Sequence, residues 1–422
     1  MSEDFDLRSR EYWLRMFWGL FLGLISAMGA FIFIGLMNAG QSLILPDLTD
    51  WTPFSGSWLM VVIMTSIGFL VGLVHHYSSA TELDVFEAVD EGRMDPKPVP
   101  SSLLASLLSL ISGFSLGPEV PTGMLSAGLG TWISDRRKMD TGTTRTNVLS
   151  SVSSAYSGLF SSPFAVLLML FESRHQQNLV YYGTLLIAAI SGVVGFSLFY
   201  WLGGDSFSLL LDLLAPPSYD LRIWHLAAAV LLGILAVPFG LLFPIMNKIL
   251  SRLVMPLNGQ PILRSTVGGL LLGLLSVALP TTVGLGTNEM VTVTQQAAEI
   301  GVFLLIIFAL AKLLALSGAL SFGFIGGPIF PLLFVGSSVG SAIHLIFPQL
   351  PLGLALGCMI VAVPASIVPI PVSLAVIGIV IIGISLTNAL PVLVAALVAF
   401  SVTHGLLIKK EEKTESSFPT QE

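Results

Sequence analysis

One glutamate lies inside a long apolar stretch of the sequence, in the pentapeptide GPEVP at residues 117–121. Burying a carboxylate in a membrane interior costs roughly 3 kcal/mol or more, so such a residue usually has a function. Glu119 can exchange a proton with water, and when charged it can take the place of a small anion. A simpler alternative is that Glu119 only caps the start of its own helix, where the backbone carries partial positive charge.

The residues around Glu119 predict a helix start that can bind an anion. Proline suits the first turn of a helix, and glycine lets the backbone come close to a ligand. The first N–H groups of a helix have no partner within it and attract anions. Residues 117–120 are therefore a candidate anion-binding segment. Gly117 and Val120 would contribute backbone, and Glu119 would act as a gate that leaves when protonated.

A second glycine-proline motif, GPIFP at residues 327–331, resembles the first. Gly130 and Gly340 follow the two motifs at the same spacing. A further pair is SSPFAVLL at residues 161–168 and PIPVSLAV at residues 369–376. Because these similarities occur in the same order, they predict an internal duplication. Duplicated transporters often have inverted halves, and their half-helix ends hold the substrate near the membrane midplane.

The elements that must position these motifs are membrane helices. The 422 residues are 54% hydrophobic and only 10% charged, with a mean hydropathy of +0.89, whereas soluble chains are about 25% charged. A spanning helix needs about 20 apolar residues, so about ten or more segments would fit. No Asp, Glu, Lys or Arg occurs between Lys312 and Lys409, yet Gly and Pro recur there. This pattern predicts short, broken and tilted helices packed within protein.

We therefore predict an all-α integral membrane fold made of two inverted halves. The turn-rich loop LAPPSYDLR at residues 214–222 separates the halves, which cover about residues 16–215 and 222–408. Together they form a transmembrane domain of residues 16–408. A cytoplasmic arm of residues 1–15 precedes this domain, and a polar cytoplasmic tail of residues 409–422 follows it.

The basic residues predict which parts of the chain face the cytoplasm, because cytoplasmic segments carry an excess of Lys and Arg. They form three clusters: Arg8, Arg10 and Arg15; Arg136, Arg137 and Lys138; and Lys409, Lys410 and Lys413. We expect a multi-pass protein of the cell membrane with both termini in the cytoplasm. The net charge of −7 comes partly from the termini, so it indicates neither a nucleic-acid partner nor an acidic-lipid partner.

Other kinds of site find little support in the sequence. The single cysteine, Cys358, excludes a disulfide within the chain. The six histidines are scattered without metal-ligand spacing, so we expect no metal site and no cofactor. Intramembrane hydrolysis would need a nucleophile and a base on facing helices, and we do not expect an enzyme.

Taken together, the motifs resemble those of the CLC family of chloride channels and chloride/proton antiporters. GPEVP resembles the family's glutamate-bearing GxEGP motif, and GGPIFP at residues 326–331 resembles its GxFxP motif. GLGTN at residues 284–288 resembles a glycine-rich stretch upstream of GxFxP, and the resemblance extends over about residues 78–390. It implies transport of a small inorganic anion, chloride first, and in antiporters also of protons. It further implies a homodimer in membrane lipid with one pore per subunit.

The resemblance also implies roles for individual residues. Glu119 matches the gating glutamate, whose carboxylate competes with the anion. Ser78, in YSSATE, falls where the family has the serine of its GSGIP motif, which helps to coordinate the anion. The backbone N–H groups of Ile329 and Phe330 fall where GxFxP supplies anion ligands. Pro328 has no N–H to donate.

Several positions depart from the family's pattern. YSSAT lacks both glycines and the proline of GSGIP, and Val120 replaces a glycine. No tyrosine follows Tyr219, so the family's central tyrosine is absent. Ser173 lies where antiporters often have their internal proton-transfer glutamate, and Glu172 or His175 is a candidate replacement. A polar cluster at the membrane interface explains Glu172 and His175 without proton transfer, and we favour that interpretation.

Charged residues near the second motif have simple explanations. Lys312 lies within an apolar run, where we expect its long side chain to reach the membrane interface. Glu289, beside GLGTN, and Glu299 are expected in solvated loops.

Two transport mechanisms agree with these residues. Passive anion conduction is favoured by Ser173, whereas anion/proton antiport is favoured by Glu119 and by a compact chain without a regulatory domain. A secondary transporter of an organic solute, built on similar broken helices, is an alternative of a different class. A membrane scaffold without any flux is a further one.

Overall fold

The computed structural model of the protein describes residues 9–46, 51–172, 179–204 and 214–415. Within these ranges the chain forms sixteen α-helices and two short 3₁₀ helices, Met255–Leu257 and Pro280–Thr282. The first eight helices are α1 (Arg10–Ile44), α2 (Leu59–Tyr77), α3 (Val85–Glu91), α4 (Val99–Ile111), α5 (Glu119–Arg136), α6 (Thr141–Leu159), α7 (Pro163–Glu172) and α8 (Leu179–Gly203). The second eight are α9 (Ile223–Val254), α10 (Pro261–Ala278), α11 (Thr287–Gln295), α12 (Ala297–Ser321), α13 (Ile329–Ile346), α14 (Leu352–Ala365), α15 (Pro371–Ile382) and α16 (Leu386–Glu415).

Most of these helices are suited to a membrane. Eight of the described helices are long and apolar enough to cross one, judged by length and composition. Four further apolar helices, α4, α7, α14 and α15, have only 10–17 residues. The prediction of an all-α integral membrane fold with short, broken helices is confirmed.

The second eight helices repeat the packing of the first eight. Helix α6 packs on α1, α5 and α8, and in the same way α14 packs on α9, α13 and α16. Helices α5 and α13 are both 18 residues long, and each follows a proline. Two helices also pack on their own counterparts, α2 on α10 and α7 on α15. When two inverted halves are related by a two-fold axis, equivalent helices that lie near the axis contact each other. The α2–α10 and α7–α15 contacts fit this relation.

Local sequence signals account for several helix ends. The side chains of Ser9, Asp84 and Asp140 accept hydrogen bonds from N–H groups in the first turns of α1, α3 and α6. Gly92 and Gly383 end α3 and α15 in the left-handed conformation that glycine adopts most easily. Helix α1 begins within the expected N-terminal arm, and α16 continues to residue 415 of the expected tail.

Glycines bring α2 and α10 into close contact. A Cβ atom on Gly269 would lie 2.1 Å from the carbonyl oxygen of Met64, and one on Gly68 would lie 2.4 Å from that of Ser265. Both obstacles are backbone atoms, so the two helices would have to separate to admit a methyl group. Small residues at such crossings are typical of helix packing in membranes.

We expect Gly269→Ala to destabilise the protein by about 1–3 kcal/mol, the usual cost of overpacking. The measurement is the thermal unfolding midpoint of the purified protein in detergent, followed by tryptophan fluorescence. Gly35→Ala is the matched control, since a Cβ on Gly35 of α1 would have no neighbour within 4 Å. Alanine is also the better helix former, so this control should not lower the midpoint. Equal midpoints for the two variants would contradict the tight α2–α10 crossing.

Candidate functional site

Two glycines join the halves of the protein at the starts of α5 and α13. The N–H of Gly117 donates to the carbonyl oxygen of Gly327 at 2.7 Å, and the N–H of Gly327 donates back to that of Gly117 at 2.8 Å. A Cβ on Gly117 or Gly327 would lie only 2.0 or 2.1 Å from an oxygen of the Glu119 carboxylate. Only glycine fits at either position while this carboxylate stays in place.

Aromatic rings reinforce this junction. Phe114 and Phe324 each lie three residues before the paired glycine of their half. Their rings stack with centroids 3.7 Å apart, and both are almost fully buried. The junction therefore combines a reciprocal backbone pair with a contact between two equivalent side chains.

The Glu119 carboxylate lies at the start of the opposite helix. Glu119 is only 2% exposed, and its Oε1 accepts a hydrogen bond of 2.6 Å from the N–H of Ile329, the first residue of α13. The Oε2 of Glu119 has no hydrogen-bond partner within the described residues. The short hydrogen bond crosses from one half to the other, which a simple cap of α5 would not require.

Helix α6 supports both helix starts from one side. The hydroxyl of Tyr156 donates to the backbone carbonyl of Glu119 at 2.8 Å, and the side chain is buried. Directly after the end of α6, the ring of Phe160 stacks on that of Phe330 with centroids 6.1 Å apart. Sequence reasoning missed Tyr156. The available signal was a tyrosine within the serine-rich run SSVSSAYSG, 37 residues after Glu119 in the sequence.

The other predicted anion ligands have different surroundings. The N–H of Gly117 is engaged by Gly327, so it is not free for an anion while the glycine pair is intact. Val120 is half-buried in the first turn of α5. Ser78 is exposed at the end of α2. Among the residues that the structure describes, its hydroxyl bonds only to the carbonyl of Val74 at 2.5 Å and the N–H of Ala80 at 3.3 Å.

Glu172 joins α7 to its counterpart α15. Its carboxylate accepts hydrogen bonds from the N–H groups of Val372 at 2.7 Å and Ser373 at 2.8 Å, and from the Ser373 hydroxyl at 2.5 Å. Glu172 thus satisfies N–H groups in the first turn of α15, where a helix has no partners of its own. Ser173 and His175, the other residues considered for a proton pathway, lie outside the described residues.

The expectation that Lys312 reaches the membrane interface is wrong, because the side chain is completely buried. Its ammonium donates to the carbonyl oxygens of Thr281, Val283 and Gly284 at 3.2, 3.0 and 2.8 Å. It also lies 5.1 Å from the ring centroid of Phe334 on α13. These carbonyls satisfy the charge internally, and Lys312 thereby holds the start of the GLGTN segment beside α12 and α13.

An open cavity of about 470 Å³ lies beside the GLGTN segment. Its polar lining includes Gln41, Asn288 and Glu289, and Glu289 is half-buried in the first turn of α11 rather than in a solvated loop. The N–H of Gly284 donates to the carbonyl of Gly113 at 2.7 Å, four residues before Gly117. The cavity is therefore a candidate entrance next to the loop that leads to Glu119. Across the described part of the chain, no group of three or more His, Cys, Asp or Glu could hold a metal ion.

The fold and the site are those of an all-helical membrane protein in which two helix starts meet at a buried carboxylate. A family model described as "Voltage gated chloride channel" matches residues 63–404. The chain belongs to this family, whose members are channels and transporters.

Relatives agree with this assignment. YfeO of Salmonella newport (strain SL254), a protein named for ion transport, is 28% identical over 323 residues, which cover 73% of this chain and 74% of the relative. A CLC-type fluoride/proton antiporter matches with a TM-score of 0.75 at 21% identity, over 94% of this chain and 97% of its own. A slow cyanobacterial chloride/proton antiporter matches with a TM-score of 0.77 at 20% identity, over 93% and 94%. The two structures establish the fold, and the family establishes anion transport of the CLC type.

We expect Glu172→Ala to loosen the start of α15, because two N–H groups and a hydroxyl lose their acceptor. Hydrogen bonds to charged groups contribute about 1.5–3 kcal/mol, so the loss should be measurable. Hydrogen exchange followed by mass spectrometry should become faster over Pro371–Ile382. Glu299→Ala, which removes an exposed acidic residue from the first turn of α12, is the control. Unchanged exchange in α15 of the Glu172 variant would rule out the capping role.

Proposed function

We propose that the protein transports a small inorganic anion, chloride first, across the cell membrane, and that Glu119 is its gate. One observation carries the proposal: the Glu119 carboxylate accepts the hydrogen bond of the Ile329 N–H at the start of α13. A carboxylate is itself a small anion, so its oxygen stands in for the transported ion at this helix start.

Glu119 and the transported ion compete for one positive helix end. A helix N-terminus carries free N–H donors and about half a positive charge, and it binds one anion well. Charged Glu119 fills this position and excludes the transported ion. Protonation removes the charge that attracts the side chain, so the carboxyl group leaves and the N–H of Ile329 becomes available. The N–H groups of Phe330 and Val120 are the neighbouring donors that we assign to the same ion.

Backbone donors also suit release of the ion. Conduction requires a site that binds strongly enough for entry and weakly enough for exit. The nearest buried cation described above, Lys312, donates to three carbonyl oxygens and so contributes no direct bond to the ion. We assign the GLGTN cavity as one entrance, and Ser78, by its resemblance to the GSGIP serine, to the opposite approach.

The contacts of Glu172 favour passive conduction over antiport. Its carboxylate is occupied as a cap of α15 by three donors, an arrangement that a proton carrier would have to break in each cycle. Two solved structures with this fold are described as proton-coupled antiporters. Proton movement must therefore be measured together with chloride flux. We further propose that the protein works as a homodimer, as the family resemblance implies.

Liposomes that contain the purified protein and chloride test the function. The experiment measures chloride efflux and internal pH together, and then repeats efflux with fluoride, nitrate and bromide. Chloride efflux above that of protein-free liposomes, without proton movement, is the expected result. Uphill proton movement driven by a chloride gradient would establish antiport instead of passive conduction. No flux of any of these anions would overturn the proposal, and so would flux of an organic solute alone.

We expect anion flux through the wild-type protein to rise as the pH falls, because protonation of Glu119 opens the gate. Glu119→Gln keeps the shape of the protonated side chain, so its flux should equal or exceed that of the wild type and should not change with pH. The measurement is chloride efflux from liposomes between neutral and acidic pH. Glu299→Gln, an exposed substitution on α12, should keep the wild-type response. An unchanged rate and pH response in Glu119→Gln would remove Glu119 from the gate.

A further inference from the structure

A second open cavity, of about 340 Å³, lies between the first part of α1 and the end of α5. Its walls include Phe17, Trp18 and Phe21 of α1 and Trp132, Arg136 and Arg137 of α5. We call it the arginine–tryptophan pocket. It is separate from the anion site, because α5 begins at Glu119 and the pocket lies at the other end of this 18-residue helix. At 1.5 Å per residue, the two ends are about 25 Å apart.

The two arginines are held in place by indole rings. The guanidinium carbon of Arg136 lies 4.9 Å from the ring centroid of Trp132, and that of Arg137 lies 5.5 Å from the ring centroid of Trp18. Stacking on an aromatic face fixes the plane of a guanidinium but leaves its N–H edges free to donate. The pocket therefore presents two oriented cations.

No carboxylate within the described residues pairs with these two guanidinium groups. The nearest acidic residues in the chain are engaged elsewhere. Asp135 receives both its hydrogen bonds from Arg93, at 2.7 and 2.8 Å, and Asp140 accepts hydrogen bonds from Thr143 and lies 3.5 Å from Arg15. The positive charge of the pocket is thus free to meet an external anion.

The rest of the pocket is apolar and faces outward. Phe17, Phe21 and Trp132 are 60%, 44% and 45% exposed. They follow Arg15 along α1 or precede Arg136 along α5, so they lie at the level where aromatic residues meet the membrane interface. A soluble anion would leave these rings without a partner, and an apolar molecule would leave the arginines without one. A molecule with an anionic head and an apolar chain satisfies both.

We propose that the arginine–tryptophan pocket binds an anionic phospholipid. The phosphate of the head group accepts hydrogen bonds from Arg136 and Arg137, and an acyl chain packs along Phe17, Phe21 and Trp132. Basic pockets between membrane helices on the cytoplasmic side are a known way to bind such head groups, and the basic cluster at residues 136–138 is expected on that side. This proposal does not depend on the transport function.

Native mass spectrometry of the full-length protein in detergent tests the proposal. The probes are phosphatidylglycerol, which is anionic, and phosphatidylcholine with the same acyl chains, which carries no net charge. We expect retention of phosphatidylglycerol at concentrations where phosphatidylcholine is lost. Arg136→Gln/Arg137→Gln should reduce this retention about tenfold or more, since charge-assisted bonds to the phosphate are removed. Lys248→Gln/Arg252→Gln, which removes the same charge from the exposed end of α9, should retain the lipid like the wild type.

Three outcomes would overturn the proposal. The first is equal retention of the two lipids by the wild-type protein, a comparison that does not require any variant to fold. The second is equal loss of phosphatidylglycerol in the two double variants. The third is complete displacement of the lipid by glycerol phosphate, which would identify a free phosphate compound as the ligand.

Fluorescence provides an independent measurement in the folded protein. Phosphatidylglycerol with brominated acyl chains should quench tryptophan emission more than brominated phosphatidylcholine does, because Trp18 and Trp132 line the pocket. In Trp18→Phe/Trp132→Phe, which preserves aromatic rings beside the arginines, this excess quenching should disappear. Its persistence would place the lipid elsewhere and contradict the assignment.

Discussion

The reciprocal backbone pair between Gly117 and Gly327 is the constraint on which the rest of the structure depends. It ties together two loops from opposite halves and so fixes where α5 and α13 begin. Because both pairing residues are glycines, the space beside them is left for the Glu119 carboxylate. The carboxylate then reaches across to the N–H of Ile329. Without this junction, two helix starts would be exposed in the membrane interior with unsatisfied N–H groups, which is costly.

Backbone groups elsewhere in the fold also find hydrogen-bond partners inside the protein. Broken helices leave free N–H or C=O groups in the membrane interior. At the breaks described above, side chains bond to such groups. Glu172 provides acceptors at the start of α15, Tyr156 donates to the Glu119 carbonyl, and Lys312 donates to three carbonyls within residues 281–284, where GLGTN begins. These three side chains therefore serve first to complete the backbone. Glu119 differs, since one of its oxygens has no partner among the described residues, and this suits a side chain that must move.

Much of this architecture follows from the sequence. GPEVP and GPIFP predict two helix starts and, by their similarity, a duplication, whereas composition predicts a membrane fold of helices. The partners of individual side chains do not follow, because they join residues that are far apart in the chain. The Glu119–Ile329 bond links positions 210 residues apart, and the Glu172–Val372 bond links positions 200 apart. The prediction for Lys312 was wrong for the same reason. Its acceptors are backbone carbonyls of a distant loop, and residue types do not show where a backbone carbonyl will lie.

The central claim is that the Glu119 carboxylate stands where the transported ion binds. Crystals of the wild type and of Glu119→Gln, both grown in bromide, test it directly through the anomalous scattering of bromine. We expect a bromide peak within hydrogen-bonding distance of the Ile329 N–H in Glu119→Gln and no bromide at that position in the wild type. A bromide bound at that N–H beside an undisplaced Glu119 carboxylate in the wild type, or no bromide near it in the variant, would contradict the account.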